Sequence, residues 1–155
     1  MKIRSVSFNN RRKGFEVRTP RAVLWFPYGK LEARPSRGNP VVRVSVDPEL
    51  AREGFTYHLG SGEEGTVHVE QVLEYNQDPD HLRNLLLYKL TLEAQKRVAR
   101  SALSRREIIR RLGTSPAQFY RLLDQTNYRK SVDQVLTLLH VLDCDVDLVV
   151  RAKSA

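Results

Sequence analysis

Residues 104–124, SRREIIRRLGTSPAQFYRLLD, carry the signals for two short helices separated by a tight turn. Ser104 and Glu107 have the spacing of a capping box, and so have Ser115 and Gln118. In a capping box the serine hydroxyl accepts the N–H three residues on, and the longer polar side chain bonds back to the serine N–H. The pattern therefore predicts one helix that begins after Ser104 and a second that begins after Ser115.

The residues between these two boxes predict how the first helix ends and the second begins. Gly113 is expected to end the first helix, because glycine enters the left-handed conformation without steric cost. Pro116 takes the first position of the second helix, where its missing N–H costs nothing. Two helices joined by such a turn have the geometry that places a helix in the major groove of DNA.

The positive charge of the chain is concentrated around this segment. The 155 residues have a net charge of +8. Residues 83–130 contain 12 Lys and Arg side chains, against which stand only Glu93, Glu107 and Asp124, a balance of +9. A basic block on helices is typical of nucleic-acid contact, although a solvated charged face has the same composition.

The fold class follows from a change of pattern along the chain. Residues 3–69 contain short runs of β-branched and aromatic residues with turn signals between them, which indicate antiparallel strands. Within one of these runs, Val42, Val44 and Val46 are predicted to share a face. Four helices are then predicted, at about 80–101, 105–112, 116–124 and 132–142, followed by a closing strand at Val146 to Val150.

We thus predict an α+β protein of two parts. Residues 1–77 form an antiparallel β-sheet domain that serves dimerisation, ligand sensing or partner binding. Residues 78–155 form a helical domain with a helix-turn-helix and a short C-terminal strand. Ile108, Leu112, Phe119 and Leu122 have the spacing of its core positions.

The segment over roughly residues 90–142 resembles the phage-repressor (Cro-like, XRE) helix-turn-helix family, with the predicted helix 132–142 behind the two helices. The resemblance implies that the second helix contacts base edges in duplex DNA. The implied base-contacting residues are Pro116, Ala117, Gln118 and Arg121. The implied phosphate-binding residues are Ser104, Arg105, Ser115, Tyr120, Asn127, Tyr128, Arg129, Lys130 and Ser131. Gln118 can pair with adenine and Arg121 with guanine.

The function that this resemblance implies is transcriptional regulation by a homodimer on duplex DNA. The alternative is an antitoxin-like protein that neutralises a partner toxin and represses its own operon. The two would be distinguished by the genetic neighbour, because an antitoxin gene lies beside a small toxin gene. A basic chain has the wrong sign to complement ribonuclease toxins, which tend to be basic themselves.

Other kinds of site have weaker signals. The run Asp143, Asp145 and Asp147 lacks the glycine and glutamate of a calcium loop, and His58 with His68 lacks a third ligand. We therefore expect no metal and no cofactor. The sequence has no glycine-rich phosphate loop after a strand and no nucleophile with a recognisable base, so we expect no enzyme.

The first residues, the apolar runs and the cysteine content bear on the cellular location of the protein. The first residues have no apolar core, and no apolar run has the ~20 residues that span a bilayer. With the lone Cys144, this favours a reducing cytoplasm and no membrane.

Trp25, Tyr28 and Tyr57 are either pocket residues for a small molecule or core and cross-strand residues.

Overall fold

A computed structural model describes residues 1–152, which contain six strands and five α-helices, so the protein is α+β. The strands are β1 (Ser5–Asn9), β2 (Gly14–Arg18), β3 (Val23–Pro27), β4 (Val41–Val46), β5 (Gly54–Leu59) and β6 (Glu64–His68). The helices are α1 (Val69–Tyr75), α2 (Pro79–Arg100), α3 (Arg105–Leu112), α4 (Pro116–Leu123) and α5 (Val132–Val141). The chain divides into two compact units, residues 1–82 and residues from 83 onward, with the boundary inside α2.

The first unit contains two antiparallel three-stranded sheets rather than the single sheet that the sequence predicted. Their strand orders are β1-β2-β3 and β4-β5-β6, each a meander. The central strand of each sheet begins with a glycine and a phenylalanine, and the rings of Phe15 and Phe55 lie 4.9 Å apart between centroids. Tyr57 lies 5.5 Å from Phe15, so these aromatic residues join the two sheets into one core.

Strand β4 departs from the predicted alternation. Its register with β5 shifts between Val41 and Arg43, so the extra residue bulges out of the ladder. Val41 is buried, Val42 is 55% exposed, and Val44 and Val46 are partly buried against the core. The prediction that Val42 shares a face with Val44 and Val46 is therefore wrong. The bulge interrupts the alternation of side chains, so Val42 points to the opposite side of the sheet from Val44 and Val46.

The second unit is helical around one apolar core. Leu87, Ala94 and Val98 of α2 supply one side of it. The remaining buried members come from the three shorter helices and are Ile108, Phe119, Leu122, Val135, Leu138 and Leu139. Of the predicted core positions, Leu112 is only partly buried.

The ends of the helices follow the local sequence in most respects. Ser104, Ser115 and Ser131 each accept the backbone N–H three residues on, at 3.1, 3.2 and 3.3 Å. Gly113 has φ +69°, the left-handed conformation predicted for it. Only the box of Ser131 is complete among these three, because neither Glu107 nor Gln118 bonds back to its cap in the part of the chain described.

The C-terminal strand predicted at Val146 to Val150 does not form within residues 1–152. No strand of either sheet pairs with this segment. Without a partner strand, its β-branched residues have no ladder to join, and Leu148, Val149 and Val150 are 76%, 67% and 85% exposed. The last three residues of the predicted domain, 153–155, lie outside the described residues.

Candidate functional site

The outer face of α4 is accessible. Pro116, Ala117 and Arg121 are exposed, and Gln118 is half-buried. Ser115 caps the helix with its hydroxyl oxygen, so the hydroxyl hydrogen remains available to a further acceptor. The predicted base-contacting residues therefore occupy one accessible helix surface.

A cleft of about 530 Å³ lies beside this face of α4. Gln118 and Arg121 line it, and so do Asn127 and Arg129 from the loop that precedes α5. With Lys130, which also lines the cleft, two predicted base-contacting residues and three predicted phosphate-binding residues thus surround one concave surface. Sequence analysis missed three further lining residues, which are Asp124, Thr126 and Gln134.

Side-chain hydrogen bonds hold the loop between α4 and α5 in place. Asn127 donates to the carbonyl of Arg121 at 3.2 Å and accepts the N–H of Arg129 at 3.1 Å. Arg83 of α2 donates to the carbonyl of Tyr128 at 3.1 Å. Asn127 was predicted to bind phosphate, and its side chain instead supports the loop that carries Arg129. Nothing local in the sequence indicated the role of Arg83, since its partners lie some 45 residues away.

Lys130 was predicted to bind phosphate, and the structure gives its side chain a structural role. Its side chain is buried, and its Nζ donates to the carbonyl oxygens of Leu122 at 2.9 Å and Asp124 at 2.8 Å. These carbonyls lie at the C-terminal end of α4, where helical partners are missing. Burial lowers the pKa of Lys130, although Asp124 counteracts this. Lys130 thus satisfies the end of α4, and two of its three ammonium N–H groups are used in doing so.

Tyr120 and Arg105 lie together on the surface formed by α3 and α4. The guanidinium carbon of Arg105 lies 5.8 Å from the centroid of the Tyr120 ring, within the range of a cation–π contact. Tyr120 is half exposed and its ring also meets that of Phe119 edge-on. Since Ser104 is exposed and immediately precedes Arg105, three predicted phosphate-binding residues occupy this surface.

The arginines of the second unit differ in whether they already form an ion pair with a carboxylate. Glu107 accepts hydrogen bonds from Arg110 and Arg111, which lower its pKa to about 2. Arg105, Arg121 and Arg129, by contrast, make no ion pair with any carboxylate of residues 1–152. The cations without an ion pair in residues 1–152 therefore include those near α4 and its following loop, as well as Lys89, Lys96, Arg100 and Arg106.

The helix N-termini also differ in their charge. The first turn of α3 contains Glu107, and that of α5 contains Asp133, whereas that of α4 contains no acidic residue. A hydrogen bond from Ser131 lowers the pKa of Asp133, so this predicted phosphate ligand already contacts a carboxylate. A helix N-terminus attracts anions through its free N–H groups and dipole, and a carboxylate in the first turn competes for it. The N-terminus of α4 is the least obstructed of these three.

The residues weighed for metal binding have structural roles. His68 caps α1, accepting the N–H of Glu70, and His58 lies 3.4 Å from Glu64. Over residues 1–152, no three His, Cys, Asp or Glu side chains are placed to share a metal ion. Over the same residues, no helix combines the length and apolar character required to cross a bilayer.

Comparisons with protein-family models, curated proteins and solved structures found no match to this chain.

Proposed function

We propose that the second unit binds duplex DNA in the major groove through α4, and that the protein regulates transcription. One observation carries the proposal: Gln118 and Arg121 of α4 line the same cleft as Arg129, and the helix begins without an acidic residue. A rigid helix with accessible polar side chains beside free cations suits a nucleic acid, whose phosphates carry the charge and whose bases carry the sequence.

The side chains divide into two groups on this proposal. Gln118 and Arg121 form paired hydrogen bonds to base edges, and Pro116 and Ala117 make apolar contacts there. The residues that bind phosphate are Ser104, Arg105, Ser115, Tyr120, Tyr128 and Arg129. The half-exposed Tyr128 is held by Arg83 through its backbone, so its side chain stays on the surface. Each paired contact contributes about 1–3 kcal/mol of discrimination between bases.

A dimer supplies the rest of the specificity. Two base-contacting side chains fall short of the ~4–10 kcal/mol that separates specific from non-specific binding. A symmetric dimer doubles these contacts on a palindromic site. The exposed apolar segment Val146, Leu148, Val149 and Val150 is suited to the pairing, because it has the composition of a strand without a partner.

The test is selection from a randomised duplex pool with the full chain. We expect an enriched palindrome, and we expect Gln118→Ala and Arg121→Ala each to relax the preference at one position of each half-site. Arg129→Ala is the matched variant, which should weaken all sequences alike. Recovery of no sequence motif would refute specific recognition, and identical effects of the three variants would refute the division of roles.

A second candidate is the antitoxin-like protein, and the same exposed apolar segment supports it. On this reading the segment from Val146 to Val150 pairs with a toxin rather than with a second copy. Sedimentation equilibrium of the purified chain separates the candidates. A stable dimer favours the homodimeric regulator, and a monomer that binds the product of a neighbouring gene favours the antitoxin.

A further inference from the structure

The first unit contains a cavity of about 530 Å³ between the β1–β2 turn and the loop that joins β3 to β4. More of its wall is apolar than polar, and Pro35 and Pro40 contribute to the apolar part. Small-molecule sites typically have volumes of about 300–1,000 Å³ and mainly apolar walls with a few polar groups. The cavity thus has the size and character of a site for a small organic molecule.

Four cations surround this cavity. Arg11, Lys13, Arg34 and Arg37 line it, and no Asp or Glu does. None of the four forms an ion pair within residues 1–152. The net charge of the first unit is close to zero, with 12 Lys and Arg against 11 Asp and Glu in residues 1–82. The positive charge is therefore local to the cavity, where apolar walls strengthen its attraction for an anion.

The loop that bears two of these cations is held in a fixed shape. The hydroxyl of Tyr57 donates to the carbonyl of Ala33 at 2.8 Å. The backbones of Ser36 and Asn39 pair with each other at 3.0 and 3.1 Å, which closes a tight turn containing Arg37. A loop that is already fixed loses little conformational entropy when a ligand binds. This arrangement therefore suits a loop that binds a ligand better than one that only joins β3 to β4.

The floor of the cavity is neutral and closed by hydrogen bonds. Tyr28 is buried, and its hydroxyl donates to Oδ1 of Asn10 at 2.9 Å. The amide of Asn10 donates in turn to the carbonyl of Val41 at 2.9 Å and accepts the N–H of Val41 at 3.2 Å. Burial raises the pKa of Tyr28 to about 12, so the floor contributes no negative charge at neutral pH.

We propose that this cavity binds a small organic anion, with an apolar or aromatic body inside and a carboxylate, sulfonate or phosphate group between Arg11, Lys13, Arg34 and Arg37. Arginine guanidinium groups form paired hydrogen bonds with such oxyanions. The site is built wholly from residues 10–40 of the first unit, so it is independent of the proposed contact between α4 and DNA.

The test uses 1-anilinonaphthalene-8-sulfonate as the probe, with the full chain and fluorescence titration. We expect one bound probe per chain, with an affinity that falls as salt rises. The double variant Arg34→Gln/Arg37→Gln should weaken binding at least tenfold. The matched control is Arg4→Gln/Arg43→Gln, which removes the same charge from exposed positions outside the cavity and should leave binding unchanged. Unchanged circular dichroism and melting would establish that both double variants are folded.

The neutral analogue N-phenyl-1-naphthylamine provides the second measurement. We expect it to bind more weakly than the sulfonate and to be insensitive to Arg34→Gln/Arg37→Gln. Equal affinities for the two probes, equal losses in the two double variants, several probes per chain or no binding at all would each overturn the proposal.

Discussion

The side-chain nitrogen of Lys130 donates a hydrogen bond to the carbonyl oxygen of Leu122 at 2.9 Å, which places this lysine in the support of α4. The same nitrogen donates to Asp124 at 2.8 Å. One buried cation therefore satisfies two carbonyls at the end of the helix that carries Gln118 and Arg121. The position of that helix depends on a residue that makes no contact with DNA in the proposed complex.

Lys130→Met should destabilise the protein by about 1–3 kcal/mol, because it leaves the buried carbonyl of Leu122 without a donor, while that of Asp124 keeps the N–H of Asn127. Methionine retains most of the length of the side chain, so lost packing contributes little. Arg129→Met is the matched control at an exposed neighbour, and it should change stability by less than about 0.5 kcal/mol. Urea unfolding followed by circular dichroism measures both. Equal stabilities would show that the lysine contacts are not maintained in solution.

The salt dependence of DNA binding should distinguish Arg129 from an exposed arginine of the first unit. Arg129→Gln should reduce the slope of log K against log salt by about one, since one phosphate contact is lost. Arg43→Gln, an exposed arginine of the first unit, should leave the slope unchanged. Fluorescence anisotropy with a labelled duplex at several salt concentrations gives the slopes. An unaltered slope for Arg129→Gln would remove this residue from the phosphate contacts.

The features that sequence predicted well are those that depend on neighbours along the chain. Ser115, Gly113 and Pro116 determine a helix end within three or four residues, and the structure places all three as predicted. Asp78 caps α2 by the same short-range rule, accepting the N–H of His81 at 3.0 Å. Such short-range rules need no knowledge of what packs nearby.

The features that sequence missed depend on contacts between distant segments. Burial of Lys130 requires the end of α4 to approach it, and a charged residue on a loop otherwise indicates exposure. The facing of Val42 depends on a register shift against β5, which alternation within β4 does not reveal. The number of sheets depends on which strands pair, and the cavity near Tyr28 depends on a loop with no repeating pattern.

Gly113→Ala should destabilise the protein by about 1–2 kcal/mol, which is the cost of the left-handed conformation for a residue with a Cβ. The φ of Gly113 is +69°, and an added Cβ would meet nothing within 4 Å. The variant therefore introduces backbone strain without a clash against neighbouring atoms. Gly38→Ala is the matched control, because it also has open space and lacks a positive φ. The control should be neutral or slightly stabilising. Comparable melting of the two variants would show that Gly113 does not hold this conformation.

Acid should weaken the second unit partly through Glu107. Hydrogen bonds from Arg110 and Arg111 lower its pKa from 4.5 to about 2 in the folded state. A carboxyl group whose pKa is lowered by folding stabilises the folded state fully at pH values above its ordinary pKa. This contribution is lost as the pH falls from about 4.5 toward 2. Glu107→Gln should therefore lower the melting temperature at pH 7 and flatten its decline in acid. Parallel pH profiles for the two proteins would contradict the ion pairs.

The exposed C-terminal segment should control assembly if it pairs between two copies. Leu148→Asp/Val150→Asp introduces two charges where Leu148 is 76% and Val150 is 85% exposed, so the fold of the single chain should be unaffected. A dimer held by this segment should dissociate, because burying the new carboxylates across the interface is costly. Binding to a palindromic duplex should then weaken much more than binding to a single half-site. Sedimentation equilibrium and anisotropy measure the two effects, and a dimer that survives the double substitution would place the interface elsewhere.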